Sequence, residues 1–148
     1  MIEAKDIKCV SVFENLSNDE LNKIKSSIAE KAYKKGTTLF QEGMSGGVMY
    51  IVKKGEIEIF QARGTSEISL AKLKDGSFVG EMSLIDDKPR SASARVSADS
   101  VLLILTKANF HDIITKNAEC GNKILLTFLK RISSRLRETN KKVVTGIE

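Results

Sequence analysis

One short segment, "GEMSLIDDKPRSASA" from Gly80 to Ala94, holds the residues of this chain best suited to binding chemistry. Gly80 permits a tight turn and a close backbone approach to a ligand. "EMSLI" can form a single helical turn, whose first amides have no partner inside the turn and attract anions. Asp86 and Asp87 end it. Pro89, the only proline, fixes its own φ and pushes Lys88 out of the α region, so Arg90 is delivered from a stiff, extended approach. A guanidinium matches two phosphate oxygens at once. Ser91 adds a hydroxyl and an amide, and Ala92 leaves space. A carboxylate at Glu81 is misplaced beside an anion unless it accepts a hydrogen bond from a sugar hydroxyl. Together these groups suit a nucleotide carrying one phosphate charge. The plainer alternative is a structural Glu81–Arg90 ion pair, which at a surface is weak.

The surrounding elements must hold this segment still. "LSNDELNKIKSSI" carries Ser17 three residues before Glu20, a capping box, and Leu21, Ile24 and Ile28 follow at helical spacing. A helix is expected from Asn18 to Ala29. The texture then changes to short apolar and β-branched runs between glycines. Ile57 and Ile59 alternate with Glu56 and Glu58, as on a half-buried strand. Ala92, Ala94 and Val96 share one strand face, and "SVLLILT" reads as a strand buried on both sides. Thr106 caps a helix over "KANFHDIIT", and a longer one runs from Asn117 to about Lys142, with Gly121 marking a bend. Leu125, Phe128, Leu129, Ile132 and Leu136 form its apolar stripe. The expected fold is α+β: an eight-stranded antiparallel β-roll, a jelly roll, flanked by N-terminal and C-terminal helices. As one domain over 1–148 it divides into a helical start (1–29), the roll (30–106) and C-terminal helices (107–142).

Composition narrows the function classes. With 148 residues, 41% apolar and 29% charged, this is the make-up of a globular protein. No run approaches the ~18 apolar residues of a membrane span, and the first ten residues lack the apolar core of a secretory signal. Cys9 and Cys120 are too far apart in sequence for a metal motif and read as reduced thiols of a cytoplasmic protein. A net charge of +5 favours anionic partners but is too mild to indicate nucleic acid. His111, the only histidine, argues against a metal enzyme on a β-roll, so no metal and no cofactor is expected. After residue 142, "VVTGIE" has no room for a helix-turn-helix, so no DNA-binding domain is expected in the chain.

The segment resembles the phosphate-binding cassette of cyclic nucleotide-binding domains. These occur in catabolite activator proteins, regulatory subunits of cAMP-dependent kinase and nucleotide-gated channels. The family pattern G-E-x-x-L, a spacer, then P-R-x-A is met by Gly80, Glu81, Leu84, Pro89, Arg90 and Ala92. "VMYIVKKGEIEIF" is similar to the family's third and fourth strands, with Gly55 in the turn between them. The resemblance implies that Glu81, with the Gly80 amide and Met82 beside it, holds a ribose. It implies that Arg90, Ser91 and Ala92 hold a cyclic phosphate, with Ser91 leaning towards cAMP over cGMP. Ile59, Leu70 and Phe78 are the expected lining for sugar and base. Arg135, or Thr139 after a small shift, is the expected cap over the base. The implied activity is that of a non-enzymatic sensor whose C-terminal helices move on binding, signalling to a protein effector or a second copy. The alternative is an interaction or dimerisation module that works through the C-terminal helix without ligand.

Overall fold

The computed structural model describes residues 2–8 and 10–145, so the reading of Cys9 lies outside the described residues, as does the end of "VVTGIE". Helix α1 (Ala4–Lys8) and a 3-10 turn (Ser11–Phe13) precede α2 (Asn18–Ile24). The capping box at α2 forms in both directions. Glu20 N–H donates to Ser17 Oγ at 3.2 Å, and Ser17 N–H donates to Glu20 Oε1 at 3.0 Å. The helix stops earlier than its apolar spacing predicts. Ser26 and Ser27 favour turns over helix interiors, a 3-10 turn covers Lys25–Ser27, and Ile28 is already extended.

Six strands follow among the described residues: β1 (Ala29–Tyr33), β2 (Thr38–Phe40), β3 (Val48–Arg63), β4 (Ser66–Leu73), β5 (Phe78–Val79) and β6 (Ser93–Thr106). Their order is β1-β6-β3-β4, with β2 also on β6 and β5 also on β3, and every pairing is antiparallel. The expectation of eight strands is corrected to six, because two expected turns are bends within continuous strands. β3 passes through Gly55 without a turn. Its register against β6 slips between Val52 and Ile57, the mark of β-bulges. Gly55 has φ +117°, and a Cβ there would lie 2.0 Å from Ser100 Oγ, so the bend needs glycine as a turn would. "SASARVS" and "SVLLILT" likewise form the single strand β6.

β6 separates two cores. Inside the roll, Phe40, Val52, Ile57, Ala94, Val96 and Leu102 pack together. Beneath the helices, Met49, Ile51, Leu103 and Leu105 meet Phe110, Ile124 and Phe128. α4 (Lys107–Lys116) starts at the expected cap, with Asn109 N–H donating to Thr106 Oγ1 at 3.1 Å. The chain bends at Asn117, not at Gly121, which lies inside α5 (Ala118–Thr145). A Cβ on Gly121 would stand 3.0 Å from Ile114 Cα, so this glycine serves the close packing of α4 on α5. The face of α5 that enters the core is Cys120, Gly121, Ile124 and Phe128. Of the expected stripe only Phe128 is fully buried, while Leu129 and Leu136 are exposed.

One ion pair ties the start of the chain to α5. Lys123 Nζ donates to Glu20 Oε1 at 2.7 Å. With the Ser17 amide, this bond pulls the Glu20 carboxyl from its ordinary 4.5 down to about 2. A lowered folded value means that the contribution is complete above 4.5 and fades as the pH falls towards 2. A side-chain NMR titration is expected to place the Glu20 midpoint near 2. Lys123→Ala should move it back towards 4.5, and an unmoved midpoint would contradict the assignment.

Candidate functional site

β5 ends at Val79, and Gly80 follows with a φ of +94°. A Cβ at this position would fall 2.6 Å from the Val48 carbonyl oxygen and 2.8 Å from Arg90 Nη1. Backbone angle and space therefore both require glycine. The helical turn α3 (Met82–Ile85) follows. Its opening amides are less free than the sequence suggests. Ser83 N–H donates to Gly80 O at 3.2 Å and Leu84 N–H to Glu81 O at 3.1 Å, because the turn effectively begins at Gly80. Leu84 is buried in the helical core and anchors the turn, while Met82 and Ile85 face outward.

Arg90 is fixed by more than Pro89. Its N–H donates to Met44 O, and Gly43 N–H donates to Arg90 O, both at 2.8 Å, which straps the segment to the loop before β3. The guanidinium stacks on Phe40 at 4.0 Å. Nη2 donates to Val48 O at 2.7 Å and Nη1 to Ser83 Oγ at 3.2 Å. Nε is buried and has no hydrogen-bond partner among the described residues. Burial lowers the guanidinium from its ordinary value, with Tyr50 opposing the shift, and arginine stays cationic regardless.

Glu81 does not pair with Arg90. Its carboxylate is 3% exposed and turns to α5, where Arg135 Nη1 donates to Oε1 at 3.0 Å and Arg131 Nε stands 3.9 Å from the same oxygen. Arg131 in turn lies 4.2 Å over the Phe78 ring. Burial pulls the Arg131 guanidinium down, with Glu81 resisting and Arg135 adding to the fall.

These groups line one cleft of about 580 Å³. Gly80, Glu81, Met82, Arg90, Ser91 and Ala92 all reach it, as do Ile59 from β3 and Leu70 from β4. The β3–β4 register skips Leu70, pairing Ile59 with Ala71 and then Phe60 with Ser69, so Leu70 is the extra residue of a bulge. Arg95 braces the hairpin by bonding Glu58 on β3 and Glu67 on β4, each at 2.7 Å. Phe78 is not part of the lining. It is 2% exposed and packs against Phe128 at 5.6 Å, because the inward face of β5 meets α5 rather than the cleft. Arg135 and Thr139 both border the cleft, and Arg135 is committed to Glu81 rather than standing free as a base cap. Lys88, Arg90, Arg131, Arg135 and Lys142 outnumber Glu81, Asp86 and Glu138 around the cleft, which suits an anion.

Several contributors escape the sequence reading, among them Ser83, which accepts from Arg90 Nη1. Phe40, Val48 and Arg131 come from distant parts of the chain, with no local signal. Gln61, whose Nε2 donates to Ser91 O at 2.8 Å, was within reach, since it follows Ile57 and Ile59 at the strand period of two.

Comparison with known proteins adds a family. The family described as "Cyclic nucleotide-binding domain" matches residues 30–117. The cyclic AMP receptor protein of Thermus thermophilus is 33% identical over 82% of this chain and 56% of its own length. Human cGMP-dependent protein kinase 2 is 31% identical over 73% of this chain but only 15% of its own. The chain thus spans about half, or far less, of the curated relatives it matches. A solved cyclic nucleotide-binding domain from Methylobacillus flagellatus KT superposes with a TM-score of 0.82 at 25% identity, covering 97% of this chain and 81% of that one. The matched span holds both ends of the cleft's polar wall, Gly80–Glu81 and Arg90–Ala92, and the chain belongs to the cyclic nucleotide-binding domain family.

Proposed function

We propose that the cleft binds a cyclic purine mononucleotide, cAMP in preference to cGMP, and that the chain works in the cytoplasm as one regulatory domain. The observation that carries this reading is the Arg90 guanidinium. It is held rigidly by Phe40, Val48 and Ser83, yet keeps one buried donor, Nε, without an acceptor among the described residues. An unmet buried donor on a cation is costly unless an anion completes it. A singly charged phosphate is the anion that fits, with Ser91 and Ala92 beside it at the cleft wall. Glu81 is then the acceptor for the ribose hydroxyl. Ser91 supports the cAMP preference through the family resemblance.

The roll is the rigid frame. α5 is the responsive part, because it reaches the cleft through Arg131 and Arg135, while residues 133–145 are exposed throughout. Leu84 joins the cassette turn to the core under the helices, so a ligand that shifts α3 also changes the surface on which α4 and α5 rest. The shift can be no larger than the ligand's differential affinity for the two arrangements. We read the chain as a receptor rather than a catalyst. The lone His111 is exposed on α4, outside the cleft lining.

One observation favours a second reading. Leu125, Leu129, Ile132, Leu136 and Val143 fall on one heptad seam of α5, and Leu129, Leu136 and Val143 are more than half exposed. This seam suits a protein effector or a second copy, with or without ligand. Titration calorimetry and sedimentation on one sample separate the two. The leading reading expects heat with cAMP, weaker binding of cGMP, and a saturable end point. Absence of heat with both nucleotides, combined with self-association, would leave only the interaction module.

A further inference from the structure

The carboxylate of Glu81 is held on one side only. Among the described residues, Arg135 donates to Oε1 at 3.0 Å, Arg131 Nε stands 3.9 Å from the same oxygen, and no hydrogen bond reaches Oε2. The two arginines sit four residues apart on α5 and so project on the same helix face. Arg131 is itself braced over Phe78. Glutamate has three side-chain torsions, and an unrestrained carboxylate spreads over many orientations. The Arg135 hydrogen bond, with the Arg131 charge beside it, selects one of them and leaves the other oxygen as an acceptor.

Resting on the reading that a ribose lies at Glu81, we propose that Arg135 is a positioning residue for sugar recognition. It holds Oε1 so that Oε2 meets the ligand's 2′-hydroxyl, and Arg131 supports it. The expected base cap thereby becomes a sugar-side residue that acts through Glu81. The arrangement has a consequence for α5. The same ion pair joins the distal helix to the cassette turn, so docking of α5 and recognition of the hydroxyl are linked, and each favours the other. Loss of Arg135 leaves a carboxylate that is almost fully buried without its closest cation, a state that drives Glu81 out of its orientation.

A plain structural ion pair would give different results. The test is a binding cycle on the full chain: wild type and Arg135→Ala, each titrated with cAMP and with 2′-deoxy-cAMP. A positioning role predicts that the substitution weakens cAMP about tenfold, the scale of one charge-assisted hydrogen bond. It should change 2′-deoxy-cAMP by less than about twofold. Arg135→Lys, which keeps the charge, should recover part of the loss. Equal weakening of both ligands would overturn the proposal.

A ligand-free arm tests the link to α5 directly. Amide hydrogen exchange over residues 128–138 is expected to speed up in Arg135→Ala and in Glu81→Gln, with no further gain in the double variant. Unchanged exchange in Arg135→Ala would overturn the coupling whatever the protein binds. Failure of the wild type to bind either nucleotide would instead remove the sugar role together with the nucleotide reading.

Discussion

Arg90→Ala is expected to cost about 2–5 kcal/mol of cAMP binding, roughly thirtyfold to several thousandfold, while the protein stays folded. The size follows from what the side chain does. Its Nη atoms are committed to Val48 O and Ser83 Oγ, and its plane rests on Phe40, so the guanidinium is already in place before any ligand arrives. Little orientational entropy should then be lost on binding, and a phosphate at Nε would gain a charge-assisted bond from a donor that has no other partner among the described residues. Arg90→Lys should fare only slightly better, since an ammonium can neither stack flat on Phe40 nor present the same fork. Calorimetry measures the affinity, and far-UV circular dichroism checks that the roll survives. A variant that binds cAMP as tightly as the wild type would remove Arg90 from the site.

Phe128→Ala is expected to destabilise the fold by about 3–5 kcal/mol. Its ring is fully buried and stands 5.6 Å from Phe78 and 5.7 Å from Phe110, so it pins α5 to both β5 and α4. The lost ring leaves a cavity where three elements meet. That amount is a large share of the ~5–15 kcal/mol that holds a typical domain together. In urea unfolding the midpoint should fall sharply with little change in slope. The damage should also reach the cleft. Arg131 rests on Phe78, and Phe78 rests on Phe128, so a looser α5 weakens the hold on Glu81. A midpoint within experimental error of the wild type would contradict this account of the helical core.

Local signals carried far into the structure. The Ser17–Glu20 box, the Thr106 cap and the outward–inward alternation around Ile57 each depend on residues within four positions, and all three stand in the fold. The cassette was legible for a similar reason. Gly80, Pro89 and Arg90 lie in one short run, and each has a backbone or side-chain property that few other residues share. The failures need information that local sequence lacks. Gly55 has positive φ whether the chain reverses there or merely bulges, so a bent strand and a turn look alike. Phe78 is apolar on a strand beside the cleft, and only the docking of α5 decides that its ring points away. Two adjacent apolar stripes on α5 compete for the core, and the contact of Gly121 with Ile114 helps select the one through Ile124 and Phe128. Arg135 follows from that rotation, which places it against Glu81.

The unmet donor of Arg90 is the expected seat of a nucleotide phosphate. The direct measurement is the ¹⁵N–¹H resonance of Arg90 Nε in the full chain, titrated with cAMP. The expected result is a large downfield displacement that saturates with the calorimetric isotherm, together with slowed exchange of that proton with water. An Nε–H signal that keeps its position and its exchange rate at saturating cAMP would contradict the account.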